Sequence, residues 1–420
     1  EEDKKFARRE HTTAIGWLAF GMGWPKGSKT GAASLALSPK FQMPAVLEAI
    51  ARDTEREELV VRQRMGIRVA DAAKWGLRYD TFEDGMVFLS LEAYCHPKVI
   101  NLTMDMFDAY RWWENDFFRA FAKNRDMIEA ARKTGALPMA AEMFAKDLGR
   151  NMREEVNLYT YKTPDYMLST AQDWRKGYGG DQQHIWQATL GVNAVCFTTH
   201  PARENSQKHN GNDTPDYWAG SGTLPRAAQC NNVAVAIYDI DTTPGLYLTN
   251  ELFFTHAWLP RDQFDEVVER GGWIFARKDA GYLALRSMQP YRWQTEDGPE
   301  KDSELIADGK RNVWICELGR EAKDGTFAAF IERIIGAGLH FGDLEVTYDS
   351  PSQGKIEFGW NGPLKVNGAE VPLDTYARYD APFAHARFPS DTIHFRHGED
   401  WLLLDWQRGV CLASGQGALP

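Results

Sequence analysis

Cysteine is scarce in this sequence, and no two cysteines have a redox or metal-binding spacing. The five are far apart: Cys95, Cys196, Cys230, Cys316 and Cys411. An odd, scattered set argues against a disulfide framework or a zinc site, so we interpret them as buried thiols. No apolar run approaches the roughly 20 residues that a membrane helix needs, and we recognise no signal peptide. The chain opens at Glu1 without a methionine, which leaves open a leader or longer N-terminal region, and with it the localisation.

Basic residues are also fewer than acidic residues, 48 against 59. The formal net charge is -11 and the sequence pI is about 5.5, which argues against a nucleic-acid binder with a broad basic surface. An anionic ligand would therefore need a local group of basic residues. Such a group lies close in sequence to the stretch discussed below: Arg175, Lys176, Arg203, Lys208 and Arg226.

Hydrophobic and charged residues, at 43% and 25%, have ordinary globular proportions, and 420 residues favour two domains. Up to about residue 165, apolar residues recur at helical spacing in 44–65, 98–133 and 138–159. We see no internal repeat. The sequence therefore predicts an α-helical domain over residues 1–165.

The apolar period changes to two after about residue 180, and turn residues recur about every ten positions. Strand and hairpin patterns occupy 231–240, 245–254, 273–287, 344–350, 355–360, 391–397 and 401–406, and a single clear helix is predicted at 325–338. Helices followed by many antiparallel strands predict an α+β protein, with an antiparallel β-sandwich over 166–420.

The stretch GGDQQHIWQATLG, residues 179–191, carries unusually many polar side chains for a predicted strand. Strand alternation puts Gln182, His184 and Trp186 on one face and Gln183 on the other. A three-residue loop at 191–193 would place His184 opposite His200 on the next strand. Such a surface suits a sugar, which offers hydroxyls to amides and a C–H face to an aromatic ring. The competing interpretation is that these are core polar groups that fix the strand register.

The segment from His200 to Arg226 is a long loop rich in Asn, Gly and Asp, and loops of this length are often functional. It contains Tyr217 and Trp218 between glycine-rich segments. A phenol beside a cation can act as a general acid or base, so Tyr217 is a candidate catalytic residue. Alternatively, Tyr217 and Trp218 merely fasten the loop to the sandwich.

The hairpin WIFARKDAGYLALRS, residues 273–287, has a Trp-x-x-x-Arg, turn, Tyr-x-x-x-Arg pattern. Together with a helical domain before a many-stranded sandwich, it resembles polysaccharide lyases of the heparinase II/III, alginate lyase and chondroitin AC lyase type. Their helical toroid is about twice the size of the helical region here, so we expect a reduced toroid or a piece of a longer protein. The resemblance implies an extracellular or periplasmic enzyme.

The resemblance also implies β-elimination at a uronic acid of a polysaccharide or oligosaccharide substrate. Gln182, Gln183 or Arg226 would neutralise the uronate carboxylate. His184 or His200 would be the base and Tyr217 the acid, while Trp186 and Trp218 would contact the sugar. We expect the cleft to lie between the helical domain and the sandwich.

Two further functions stay open. A glycoside hydrolase would need a carboxylate pair, for which Glu83 or Asp84 with Glu251 is the best combination. Tyr79 and Glu83 could line the cleft, although Asp80 and Glu83 also suit a helix cap, and Asn250 could contact substrate. The third function is carbohydrate binding without catalysis. We predict no cofactor: His184, His200, His209 and His256 could meet around a metal, but no ligand spacing supports one.

Overall fold

The computed structural model describes residues 43–54, 56–75, 97–119, 122–137, 139, 154–204, 215–240 and 252–415. The α-helices are α1 (Ala45–Arg52), α2 (Pro97–Ala109), α3 (Asp116–Arg119), α4 (Ala122–Lys133), α5 (Glu321–Asp324) and α6 (Phe327–Ile335). Short 3₁₀ helices span Val69–Trp75, Trp112–Glu114 and Arg261–Gln263. None of the described helices is long and apolar enough to cross a membrane.

Strands account for most of the regular structure. They are β1 (Leu59–Met65), β2 (Val156–Lys162), β3 (Met167–Ala171), β4 (Trp186–Thr189), β5 (Val195–Thr199), β6 (Arg226–Cys230), β7 (Val233–Asp239), β8 (Phe254–Trp258), β9 (Glu266–Arg270), β10 (Trp273–Lys278), β11 (Gly281–Ser287), β12 (Tyr291–Trp293), β13 (Glu304–Asp308), β14 (Arg311–Arg320), β15 (Leu339–Gly342), β16 (Glu345–Ser350), β17 (Gly354–Gly359), β18 (Leu364–Val366), β19 (Ala369–Val371), β20 (Tyr379–Ala381), β21 (Ala384–Ala386), β22 (Thr392–His397), β23 (Asp400–Asp405) and β24 (Val410–Ala413).

These strands form three antiparallel sheets. A 13-stranded sheet has the order β12-β13-β8-β5-β4-β3-β2-β1-β20-β21-β22-β23-β24. A six-stranded sheet has the order β6-β7-β14-β11-β10-β9, and a five-stranded sheet runs from β15 to β19. The protein is thus a mixed α and β fold dominated by large antiparallel sheets, in agreement with the α+β prediction.

The six-stranded sheet is buried on both faces, which explains why its strands read as almost continuous apolar runs. One face, with Ala236, Leu283 and Trp314, packs against the 13-stranded sheet through residues such as Leu168 and Trp186. The other face packs against α6 and the five-stranded sheet. We call the opposite side of the 13-stranded sheet, which does not face the six-stranded sheet, its outer face.

Several local predictions are confirmed. The 273–287 hairpin turns at Asp279 and Ala280, with Asp279 in the left-handed region at φ 50°, and Trp273 pairs with Arg286. The predicted 325–338 helix is α6, whose N-cap Thr326 accepts a hydrogen bond from the amide of Ala329. Two-residue turns and N-caps depend on neighbours in sequence, so a local pattern suffices to predict them.

The helical prediction for 44–65 and 138–159 is corrected at two places. Helix α1 ends at Arg52, and Leu59–Met65 is strand β1, which pairs with β2 along its whole length. Val60 and Val61 pack against different apolar clusters, which suits the two faces of a strand. The end of the second segment belongs to β2. Strands from both sides of residue 165 therefore share one sheet.

The 98–133 prediction is confirmed in part, because α2, α3 and α4 lie within it. The helical run is interrupted at Arg111, whose φ of 53° is left-handed and cannot continue an α-helix. A helical toroid is not shown within the described part of residues 1–165.

Candidate active site

Three neighbouring strands of the 13-stranded sheet, β5, β8 and β13, carry the candidate site on their outer face. Their inward-facing residues fasten the two sheets together: Thr198 is hydrogen-bonded to Tyr238, and Thr255 accepts from Trp314. Because side chains alternate along a strand, the intervening positions face outward. These outer-face residues are Phe197, Thr199, His256, Trp258 and Glu304.

The segment 215–224 covers this surface and is held by backbone hydrogen bonds on two sides. Gly180 and Ser221 exchange amide-to-carbonyl bonds of 2.9 and 2.7 Å, and the amide of Gly222 donates to the carbonyl of His200. Gly220 has φ 73°, and a Cβ atom there would lie 2.1 Å from the carbonyl oxygen of Asp181. Only glycine permits this close approach. Residues 215–224 therefore pack closely over this surface.

Beneath this cover lies a buried polar cluster. The hydroxyl of Tyr217 donates to Glu304 Oε1 at 2.5 Å, and His256 Nδ1 lies 2.6 Å from the same oxygen. The indole of Trp218 stacks on the imidazole of His256, with 3.9 Å between ring centroids and 9° between planes. Tyr217 is 5% exposed, and His256 and Glu304 are 0% exposed. Burial, followed by the charge of Glu304 and its hydrogen bond, holds the pKa of Tyr217 far above its usual value.

His184 lies at the edge of this cluster, two residues before β4 begins. Its Nε2 is 2.9 Å from the carbonyl oxygen of Trp218, and its ring centroid is 4.2 Å from that of Phe197. A carbonyl oxygen only accepts hydrogen bonds, so Nε2 carries the proton in this contact. In the neutral imidazole the lone pair is then on Nδ1. The acceptor nitrogen of His184 is therefore Nδ1, which is buried.

His184 also lines a pocket of about 310 Å³ on the outer face. Gln183, Trp174 and Glu154 share its wall with apolar side chains from β2 and the end of β1. Gln183 Oε1 is buried and has no hydrogen-bond partner among the described residues. A buried oxygen of this kind is a place where a ligand hydroxyl could donate.

A basic residue and a phenol stand beside this pocket. Arg175 donates from Nη1 to Glu154 Oε2 at 2.9 Å, so the carboxylate in the pocket wall is neutralised. The guanidinium of Arg175 lies over the ring of Tyr178, 4.5 Å from its centroid. Tyr178 is 49% exposed. The pocket therefore brings an imidazole, an amide, an indole and a carboxylate together, with an exposed phenol nearby.

The predicted β4–β5 register is confirmed, whereas the two histidines are not part of it. Ala188 pairs with Cys196 and Thr189 with Val195, as a three-residue loop at 191–193 requires. The ladder does not extend to His184. His200 is 0% exposed, and its Nε2 donates to the carbonyl of Leu252 at 2.8 Å. The structure thus puts His184 at the pocket and buries His200.

Two other candidates occupy positions that correct their predicted roles. Trp186 is in the core between the sheets and donates to Thr198, because its alternation face is the inner one. Arg226 is on β6 in the six-stranded sheet, where it makes a bidentate pair with Asp173 and lies over Phe358. Neither is among the residues that line the pocket. Buried, fully paired side chains of this kind stabilise the fold.

Of the remaining predicted residues, Gln182 is exposed next to the pocket residue Gln183, and Trp218 contacts His184 through its carbonyl. The candidates that lie outside the described residues are Tyr79, Asp80, Glu83, Asp84, Lys208, His209, Asn250 and Glu251. The described residues contain no group of three or more His, Cys, Asp or Glu side chains that could hold a metal ion.

Glu304 was not predicted from the sequence, and His256 was considered only as a metal ligand. Glu304 begins the strand ELIAD, whose three central residues are apolar, and His256 lies in the strand FTHAW. A lone charged or polar residue in such a strand is a weak signal, because the same pattern occurs where a strand begins at the surface. Trp174, Tyr178 and Glu154 were missed because nothing local distinguishes them.

No protein family, curated protein or solved structure matches the chain.

Proposed function

We propose that this protein is a polysaccharide lyase that cleaves a uronic-acid-containing polysaccharide by β-elimination. One observation carries the proposal: Gln183 and His184 line the same pocket, where Nε2 of His184 donates to the carbonyl of Trp218 and Gln183 Oε1 has no partner among the described residues. The volume of about 310 Å³ is at the lower end for small-ligand pockets, which suits one sugar unit.

The elimination assigns each group a role. The proton on the carbon next to the uronate carboxylate is transferred to the imidazole of His184, and the electron pair of the broken C–H bond forms the new carbon–carbon double bond. The bond to the glycosidic oxygen breaks, and that oxygen takes a proton from an acid. The amide N–H groups of Gln183 donate to the uronate carboxylate and stabilise the charge that develops there, and its Oε1 accepts from a sugar hydroxyl. Trp174 supports the apolar face of the sugar.

We assign the acid to Tyr178 rather than to Tyr217. The hydroxyl of Tyr217 is buried and donates to Glu304, and its raised pKa opposes ionisation. Tyr178 is exposed and stands against Arg175, which contacts the pocket residue Glu154. A guanidinium beside a phenol stabilises the phenolate that remains after the proton has been donated.

A non-catalytic carbohydrate-binding protein is the second candidate. It is favoured by the burial of the Tyr217 hydroxyl and by the pairing of Glu154 with Arg175, which together leave the pocket wall with no free carboxylate or phenol among the described residues. The hydrolase hypothesis depends on Glu83, Asp84 and Glu251, which lie outside the described residues.

The test is an ultraviolet-absorbance screen for unsaturated uronate products against a panel of uronate polysaccharides. We expect His184→Gln to lower kcat by roughly 10²- to 10⁴-fold, the usual contribution of a general base. Gln182→Ala is the matched control for Gln183→Ala, since it removes a neighbouring amide that is exposed. Absence of unsaturated product from every substrate would refute the lyase. Binding without any product would support the second candidate.

A further inference from the structure

A continuous chain of contacts joins His184 to the buried carboxylate of Glu304. The carbonyl of Trp218 accepts from His184 Nε2, the indole of Trp218 stacks on His256, and His256 Nδ1 contacts Glu304. His256 and Glu304 belong to paired strands, β8 and β13, in which Glu304 pairs with Trp258 and His256 with Ile306. The Glu304 end of this series of contacts is thus fixed by the sheet, whereas the His184 end lies in a loop.

We propose that His256 and Glu304 are positioning residues for His184, acting through Trp218. The proposal rests on the proposed function in one respect, because it matters for catalysis only if His184 is the base. Glu304 holds the imidazole plane of His256 by accepting from Nδ1, and that plane holds the indole of Trp218. The indole in turn fixes the carbonyl that keeps the proton of His184 on Nε2.

The packing around Trp218 supports this role. Its indole meets Phe197 and Trp258 edge-on, with centroids 5.8 and 5.3 Å away, whereas His256 covers its face. The T-shaped contacts with Phe197 and Trp258 are oblique to the parallel stack, and the stacked ring of His256 limits movement of the indole along the normal to its plane. His256 is therefore the residue that sets the position of the Trp218 indole along the normal to its ring plane. A tautomer held by a second hydrogen-bonding group is a common way to orient a catalytic histidine.

The experiment is nitrogen-15 NMR of the histidine side chains in the full chain, which reports the tautomer of each imidazole and needs no substrate. His184→Gln assigns the His184 signals. His256→Asn keeps an amide donor for Glu304 and removes the ring that stacks on Trp218. Ile306→Val is the matched control, because Ile306 pairs with His256 on the same face of the sheet. His200 is an internal control, since its Nε2 donates to the carbonyl of Leu252.

We expect His184 to show a single Nε2–H tautomer in the wild type and in Ile306→Val. In His256→Asn we expect His184 to show a mixture of both tautomers, and His200 to be unchanged. A His184 tautomer unaffected in His256→Asn would overturn the proposal. If that variant does not fold, Trp218→Phe replaces it. This substitution reduces the ring that stacks on His256 and leaves the carbonyl at position 218 in place, and it has the same two outcomes.

The two proposals fail separately. A shifted His184 tautomer without unsaturated product from any polysaccharide refutes the lyase and leaves the positioning role. If lyase activity depends on His184 but its tautomer is the same in the His256→Asn and Trp218→Phe variants, the positioning role alone is refuted.

Discussion

Replacing Tyr217 by phenylalanine removes one hydroxyl from the buried cluster and leaves the ring in place. The hydroxyl donates to Glu304 Oε1, and both residues are almost fully buried. A buried hydrogen bond to a carboxylate contributes about 1.5–3 kcal/mol. His256 still contacts Glu304 in the variant, so the carboxylate keeps a partner. We therefore expect Tyr217→Phe to lower the free energy of unfolding by about 2 kcal/mol.

For a chain of 420 residues, that loss corresponds to a decrease in Tm of about 2 °C when the chain unfolds as one unit. Differential scanning calorimetry measures it. Tyr282→Phe is the control, because its hydroxyl donates to a neutral carbonyl, that of Gly325, and should contribute about half as much. A double-mutant cycle with Glu304→Gln isolates the pair, since the two losses should not add.

The same variant distinguishes a structural from a catalytic Tyr217. Because the hydroxyl is bonded to Glu304 beneath the loop, lyase activity should persist within a few-fold in Tyr217→Phe and fall strongly in Tyr178→Phe. An unchanged Tm combined with abolished activity in Tyr217→Phe would refute this reasoning, because it would show that the hydroxyl faces substrate and serves as the acid.

Three further predictions concern stability. Burial raises the pKa of Glu317 above its ordinary value of 4.5. The neutral carboxyl therefore contributes fully to the free energy of unfolding below pH 4.5, and this contribution decreases as the pH rises through the native pKa. Glu317→Gln should lower the free energy of unfolding more at pH 4 than at pH 8, as measured by urea titration. Burial raises the pKa of Tyr376 to about 12 and that of Tyr238 further. The contribution of these two phenols to the free energy of unfolding should be complete below about pH 10 and decrease as the pH rises above it. Tyrosinate absorbance and circular dichroism should then change together. Gly220→Ala should lower Tm several times more than Gly362→Ala, because both glycines have positive φ but only Gly220 has backbone in the way.

The sequence predicted those parts of the fold whose information is local. Asp279 and Ala280 lie between two apolar runs, and Thr326 precedes an amphipathic run, so the hairpin and α6 could be found from neighbours in sequence. The sequence did not predict β1 and β2. The first residues of β1 place apolar side chains on both faces, Val60 on one and Val61 on the other, and a short run of that kind fits the helical period as well as the strand period.

The candidate site divides in the same way. The sequence by itself determined that His184, Gln183, Tyr217 and Trp218 are unusual, since polar and aromatic groups concentrate in a strand and a glycine-rich loop. Only the tertiary structure decided which of them share a pocket. Glu304 comes from 87 residues after Tyr217 and 48 after His256, and the order β5-β8-β13 brings them together. Pairing between strands that are distant along the chain depends on the burial of whole sheet faces, and no short segment of sequence encodes that burial.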